Sequence, residues 1–249
     1  MDERFNPSEY LSRSFEEAGI TLHSEQTEAF LRYEALLRQK NAVMNLTAIT
    51  DYEEVVHKHF LDSVLPSLFP EFPAEKQRLR LIDVGSGAGF PGIPLKILRP
   101  ELEIVLLDSL QKRVGFLEEV IQALGLKNIT AIHARAEDGA RDPELREGFD
   151  LAVSRAVAQL SVLSEYCLPF VKPGGCFLAY KGGDAEAETA AAEAAVRILG
   201  GKKPYITPYL LPAGGGESLK RSLIYVEKCG VTPKKYPRKA GTAARAPLG

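Results

Sequence analysis

No Cys-x-x-Cys pair occurs among the three cysteines, Cys167, Cys176 and Cys229. Their odd number and wide spacing speak against a disulfide framework and against a zinc site. Buried thiols in a reducing compartment are the expectation. Long hydrophobic runs are also missing, since no apolar stretch approaches the ~20 residues of a membrane span. The first residues, Met1-Asp2-Glu3-Arg4-Phe5-Asn6, show no basic-then-apolar signal segment. A cytoplasmic protein is therefore expected, and nothing in the sequence suggests more than a monomer. Charge of one sign is scarce too. With 31 Lys and Arg against 33 Asp and Glu the net charge is −2, which argues for no particular partner. The last stretch is the exception. Lys228, Lys234, Lys235, Arg238, Lys239 and Arg245 occur there with no Asp or Glu.

What the chain has is the composition of a globular protein, 45% hydrophobic and 26% charged over 249 residues. Residues 1–75 lack strand alternation and read as a helical region. Leu22, Ala29, Phe30, Tyr33, Leu36 and Leu37 recur at helical spacing, with Ser24 as a candidate cap. A second helix is predicted from Asp51 to about Leu65. Residues 76–229 alternate strands and helices, which predicts a parallel sheet with helices on both faces. The predicted strands end at Val84, Asp108, His133, Arg155 and Lys181. Helices are predicted over Gln111–Leu124, Gln159–Phe170 and Asp184–Leu199. A closing strand pair is expected around Gly214-Gly215-Gly216. Residues 230–249 read as an extended basic tail.

The most informative stretch is Leu81-Ile82-Asp83-Val84-Gly85-Ser86-Gly87-Ala88-Gly89-Phe90-Pro91-Gly92. A short apolar run meets alternating glycines and then a helix, the pattern of a nucleotide pocket at a strand's carboxyl end. Two registers compete. Gly87 to Gly92 fits G-x-G-x-x-G, the dinucleotide fingerprint. Gly85 to Gly89 fits G-x-G-x-G, the pattern of S-adenosylmethionine-dependent methyltransferases. The first glycine should follow the strand directly, which favours Gly85 and makes Phe90 a bulky wall of the pocket. Asp108, at the next strand tip, is placed to accept hydrogen bonds from ribose hydroxyls. Ala136-Glu137 follows the third strand, where a pocket of this kind closes over the adenine edge. Taken alone, Asp108 and Glu137 could each be an ordinary surface acid, and Asp83 could serve either the loop or a cationic end of the ligand.

The sequence resembles the ribosomal RNA small-subunit methyltransferase G family, also called glucose-inhibited division protein B. The resemblance rests on Asn45-Leu46-Thr47-Ala48-Ile49, His57-Lys58-His59-Phe60-Leu61-Asp62-Ser63, the glycine stretch, Asp108-Ser109, Ser154-Arg155-Ala156-Val157-Ala158 and Tyr236-Pro237-Arg238-Lys239-Ala240-Gly241. It implies a class I, Rossmann-like methyltransferase with a seven-stranded, mostly parallel sheet. The implied reaction makes 7-methylguanosine in 16S ribosomal RNA of the small subunit, the family target being the guanine at nucleotide 527. The implied cofactor is S-adenosyl-L-methionine, with contacts at Gly85, Gly87, Phe90, Asp108, Ser109, Leu110, Ala136, Glu137 and Arg155.

The acceptor agrees with something else the chain lacks. Enzymes that methylate exocyclic amines often carry an Asp/Asn-Pro-Pro-aromatic motif after the fourth strand, and here that place reads Val153-Ser154-Arg155-Ala156. Guanine N7 offers a free in-plane lone pair and carries no proton, so its methylation needs no general base. Arg155 is then the candidate aligner at the boundary of cofactor and base, or alternatively a structural partner of Glu137 or Asp83. Asn45, Lys181, Arg238 and Lys239 are candidate RNA contacts, with Tyr236 interleaved for base stacking. No metal site is expected. The rival readings are a small-molecule methyltransferase, a nicotinamide-dependent oxidoreductase and a non-catalytic RNA-binding module.

Overall fold

A computed structural model describes residues 5–73, 79–155, 157–183, 185–214 and 216–249. The boundary expected between residues 75 and 76, the helix start at Asp184, Ala156 and the central turn glycine Gly215 lie outside the described residues.

The first helix, α1 (Pro7–Glu17), begins where the Asn6 side chain accepts the N–H groups of Ser8 and Glu9, with Pro7 in the first turn. It buries only Leu11, Ser14 and Phe15, too short a stripe for periodicity to reveal. The next, α2 (Ser24–Met44), buries Phe30, Tyr33, Glu34 and Leu37. Its cap is His23 rather than Ser24, because the Gln26 side chain reaches back to accept the His23 N–H at 2.9 Å. Asn45 ends it in the left-handed conformation. The helix expected from Asp51 forms as one run of four pieces. These are α3 (Tyr52–Val55), a π-helical turn (Val56–Leu61), α4 (Asp62–Val64) and a 3-10 turn (Leu65–Leu68). Asp51 caps it through the Glu54 N–H. The π turn carries His57 and His59 and re-aims them, a frequent device at functional sites.

The sheet contains β1 (Arg80–Val84), β2 (Glu103–Asp108), β3 (Ile129–His133), β4 (Phe149–Arg155), β5 (Val171–Gly182), β6 (Tyr205–Gly214) and β7 (Glu217–Glu227). Their order is β3-β2-β1-β4-β5-β7-β6. The first five pair in parallel and β7 joins antiparallel to both β5 and β6. Between them run α5 (Gly92–Leu98), α6 (Gln111–Ala123), the one-turn α7 (Ala136–Gly139), α8 (Leu160–Cys167) and α9 (Glu186–Ile198). The strand order reverses between β1 and β4, which places a ligand crevice at their carboxyl ends. Along β1 the side chains of Leu81 and Ile82 point to opposite faces and feed two apolar clusters. One joins α1, α2, the α3 run, α5 and α6 to the sheet through residues such as Phe30, Phe60, Leu106 and Leu178. The other joins α8 and α9 through Leu163, Phe170, Phe177 and Val196, and Tyr236 belongs to it. The N-terminal helices thus complete one face of the sheet. Among the described residues no helix is long and apolar enough to cross a membrane.

The expectation of an extended basic tail is corrected. Residues 230–249 fold back on the core and end in a short helix, α10 (Thr242–Arg245). Lys228, fully buried, begins the return. Its ammonium donates to Leu168 O, Val171 O and Thr232 Oγ1, and burial pulls its pKa down to about 8. Tyr236 and Pro237 are buried, so the Tyr236 ring is not free to stack on a base. Arg238 forks onto Glu165 at 2.6–3.1 Å, and the Glu165 side chain is only 1% exposed. A solvated basic face is what composition suggests. The structure instead needs the Arg238 charge to compensate a buried carboxylate. Cys229 is exposed, unlike Cys167 and Cys176. Arg238→Ala is expected to lower stability by about 2 kcal/mol in urea unfolding followed by circular dichroism. The loss is moderate because Glu165 keeps the Arg238 main-chain N–H.

Candidate active site

Three parallel strands deliver their tips to one place. Gly85 directly follows β1 with φ +79°, and its N–H and that of Ser86 both donate to Leu107 O. A Cβ at Gly85 would stand 2.7 Å from Val157 Cγ2, so only glycine leaves this turn open. Gly87 also has positive φ, and its N–H donates to Asp108 Oδ2 at 2.9 Å. The other Asp108 oxygen accepts the Leu110 N–H at 2.9 Å. The acid at the β2 tip therefore ties the glycine turn to the start of α6. Oδ2 also faces Arg113 Nη1 at 3.6 Å, which leaves Oδ1 the freer oxygen for a hydroxyl donor. Beside this turn is a hollow of about 260 Å³ lined by Gly85, Ser109, Ala136, Glu137, Val157, Tyr166, Gly241 and Ala244, among others. Gly85, Ser109, Ala136 and Glu137 thus line one cavity, whereas Gly87 and Asp108 are bonded to each other just behind its lining residues Gly85 and Ser109. Leu110 is exposed beside it.

Asp83 sits one strand residue before the turn and is fully buried. Its Oδ2 accepts the Gly92 N–H at 2.9 Å, whereas Oδ1 finds no hydrogen-bond partner among the described residues. Burial raises its pKa to about 7, against the lowering effect of the Gly92 N–H and of Arg155. A partly orphaned buried carboxylate next to a glycine cradle suits a ligand with a positive end.

Phe90 is not a wall of this cavity, contrary to expectation. Its ring turns toward the N-terminal helices, 5.4 Å from Tyr33 and stacked on His59 at 4.4 Å. It forms the floor beneath Arg155, whose guanidinium carbon lies 5.0 Å from the ring centroid. Arg155 pairs with neither Glu137 nor Asp83. Its Nη1 donates to Asp62 Oδ2 at 3.1 Å and to Lys58 O at 3.2 Å. The other Asp62 oxygen accepts from Arg221 Nε at 3.1 Å and Tyr209 OH at 3.3 Å. One buried carboxylate thus holds two guanidiniums side by side. They border a second hollow, about 380 Å³, that also includes Lys58, His59 and Tyr180.

His59 is neutral at physiological pH, since burial and the Arg155 charge push its pKa down to about 3. Its Nε2 meets Thr47 Oγ1 at 2.8 Å, and Asn41 brackets Thr47 with two further hydrogen bonds. His57 faces elsewhere, toward Tyr10 OH at 3.0 Å. The two histidines diverge as a helical stretch requires.

The four candidate RNA contacts are scattered. Lys181 borders the second hollow, but its ammonium is engaged by Ala158 O and Glu188 at 2.6 Å each, which replaces an RNA-facing role with a link between β5 and α9. Arg238 is committed to Glu165, as described. Asn45 borders a separate depression near Asn41 and Thr47. Lys239 alone is exposed with no such commitment among the described contacts. Sequence reasoning missed the roles of Asp62, His59 and Arg221. The signal for the first two lay within His57-Lys58-His59-Phe60-Leu61-Asp62-Ser63, where His59 and Asp62 stand three apart on one helical face. Arg221, on β7, gave none.

The strand order, the glycine turn after β1 and the acid at the tip of β2 define a class I, Rossmann-like methyltransferase architecture. Solved structures agree at the level of fold. A predicted O-methyltransferase from Agrobacterium tumefaciens matches with a TM-score of 0.52 and 18% identity, over 70% of this chain and 81% of that one. A precorrin-6y C5,15-methyltransferase from Geobacter metallireducens gives 0.51 and 15%, over 75% and 92%. The chain belongs to the rRNA small subunit methyltransferase G family, whose model matches residues 26–210. A ribosomal RNA small subunit methyltransferase G of Acetivibrio thermocellus is 51% identical over 92% of each chain. One from Clostridium beijerinckii is 48% identical over 96% of this chain and 97% of its own.

Proposed function

We propose that the chain methylates N7 of a guanine in 16S ribosomal RNA, with S-adenosylmethionine as methyl donor and the guanine at nucleotide 527 as target. The carrying observation is that two hollows flank the β1/β4 switch point, one at the tips of β1, β2 and β3 and the other at the tips of β4 and β5. One is a glycine-turn cavity with a ribose-directed acid, and the other is a cationic cleft built on Arg155. The cofactor supplies a methyl group on a positively charged sulfur. In the proposed assignment Asp108 accepts from ribose hydroxyls, Gly85 and Gly87 give close backbone approach, and Ser109, Leu110, Ala136 and Glu137 surround the adenine side. Asp83 supplies negative potential to the α-ammonium at the amino-acid end, a charge that S-adenosylhomocysteine keeps although it lacks the sulfonium. Arg155, over the Phe90 ring, aligns the base, and Arg221 meets its phosphates. The N7 lone pair is free and no proton must leave. The protein's task is alignment and exclusion of water, and alignment alone can supply up to ~7–11 kcal/mol. A neutral His59 needs to move no proton in this scheme.

The test is labelled methyl transfer to naked 16S rRNA, intact small subunits and tRNA, with the modified base mapped. Label at N7 of one 16S guanine supports the reading. Label on an RNA exocyclic amine, or on none of the RNAs, sinks it.

Lys234, Lys235 and Lys239 are exposed on the return segment and are proposed to meet phosphates. Their combined replacement by alanine is expected to reduce the slope of log K against log salt for RNA binding by about 2. That follows from ~0.7–0.9 per neutralised phosphate. Filter binding over a salt series reads it, and an unchanged slope would remove these lysines from the interface.

A further inference from the structure

The cavity beside the glycine turn has a wall that neither the glycine pattern nor the strand tips supply. Gly241 and Ala244, from the last ten residues, line it together with Ser109, Ala136, Glu137 and Tyr166. The chain is brought there by a ladder of hydrogen bonds to the segment that follows β3. Arg146 donates to Thr232 O and Tyr236 O at 2.9 Å, and Arg141 to Pro237 O at 2.6 Å. Arg238 then forks onto the buried Glu165 of α8. Finally the Gly241 N–H donates to Glu137 Oε1 at 2.8 Å. Glu137 is buried, so this bond fixes one oxygen and leaves the other as its only variable acceptor.

We propose that residues 238–245 are a structural part of the cofactor site. They close the adenine side of the cavity and set the orientation of Glu137. This rests on the reading that the cavity takes the adenosyl group. The basic composition of this segment and its distance in sequence from the glycine turn conceal the role. Its anchoring charge is turned inward to Glu165, and its small residues face the hollow. Cofactor affinity then depends on the C-terminal segment independently of RNA. With the segment displaced, water reaches the cavity from the Tyr166 side and Glu137 regains its rotamers.

The experiment titrates S-adenosylhomocysteine into the full chain by calorimetry, and measures binding of a 16S rRNA fragment without cofactor. Ala244 is exposed on a one-turn helix, so Ala244→Trp places bulk at the cavity mouth without burying it in the core. The expected result is a Kd for S-adenosylhomocysteine raised tenfold or more, with RNA affinity unchanged. A chain ending at Pro237, checked for folding by circular dichroism, should show a similar loss. If wild type binds S-adenosylhomocysteine and Ala244→Trp binds it equally well, the proposal is overturned, and loss of RNA affinity alone overturns it equally. If the folded wild-type chain does not bind S-adenosylhomocysteine, the cofactor reading itself fails, and the proposal with it.

Discussion

Arg155→Ala is expected to lower the rate of methyl transfer to RNA by about 10²–10³-fold, the range seen when one preorganised donor is removed from an active site. The chain should still fold, for a structural reason. Deleting Arg155 leaves Asp62 paired with Arg221 at 3.1 Å and with Tyr209 at 3.3 Å, so no buried charge is stranded. The lost elements are the planar guanidinium on Phe90 and its donors toward the cleft. Arg155→Lys should recover only part of the rate, since a point charge keeps neither the planar set of donors nor the contact with the Phe90 ring. Asp62 acts through the two arginines and is a positioning residue. Asp62→Asn should raise the KM for RNA more than it lowers kcat, because both guanidiniums lose their fixed separation. Single-turnover assays at saturating S-adenosylmethionine, beside a calorimetric titration of S-adenosylhomocysteine, separate these effects. Wild-type rates for a folded Arg155→Ala protein would remove Arg155 from the reaction.

The residues that were legible in the sequence are those whose function is local. Gly85 follows an apolar run and Asp108 ends another, so their positions at strand tips can be read from the punctuation of the chain. Arg155 is legible as a strand end, but its partner is not. Asp62 stands 93 residues away, on a helical run whose π turn no periodicity announces. The same holds for Phe90. Its place in the loop is local, whereas its orientation is decided by Tyr33 and His59 from the N-terminal helices. The tail misleads for a chemical reason. A basic stretch without acids reads as solvated because pairing is sought nearby. The acids that accept Arg238 and the Gly241 N–H, Glu165 and Glu137, lie 73 and 104 residues back. Lys181 is the converse case, with its neutralising Glu188 only seven residues on, across a turn that the alternation of strand and helix does not fix.

Affinity for S-adenosylhomocysteine should fall as the pH drops below 7, approaching about tenfold per pH unit, and by about fiftyfold between pH 7 and pH 5. The cause is Asp83. Its folded pKa is about 7 against an ordinary 3.8. Below 7 the carboxyl is therefore protonated in the free protein, and a ligand whose cationic end prefers the carboxylate must first displace that proton. Above 7 the group is already ionised and the affinity levels off. The same shift has a consequence of opposite sign for folding. Between 3.8 and 7 the native chain holds this proton and the unfolded chain does not, so Asp83's contribution to stability falls as pH rises through that window. The penalty of a buried carboxylate is complete above about 7, and a cation bound nearby offsets it. The ligand should accordingly raise the melting temperature more at pH 8 than at pH 5.5. In Asp83→Asn the amide can keep its acceptor for the Gly92 N–H while the titration disappears. Its affinity should lie well below wild type at pH 8 and vary little from pH 5 to 8. Calorimetry of both proteins across that range decides the matter. A pH-independent wild type, or an Asp83→Asn variant that binds like it at pH 8, would show that the Asp83 charge serves the loop and not the ligand.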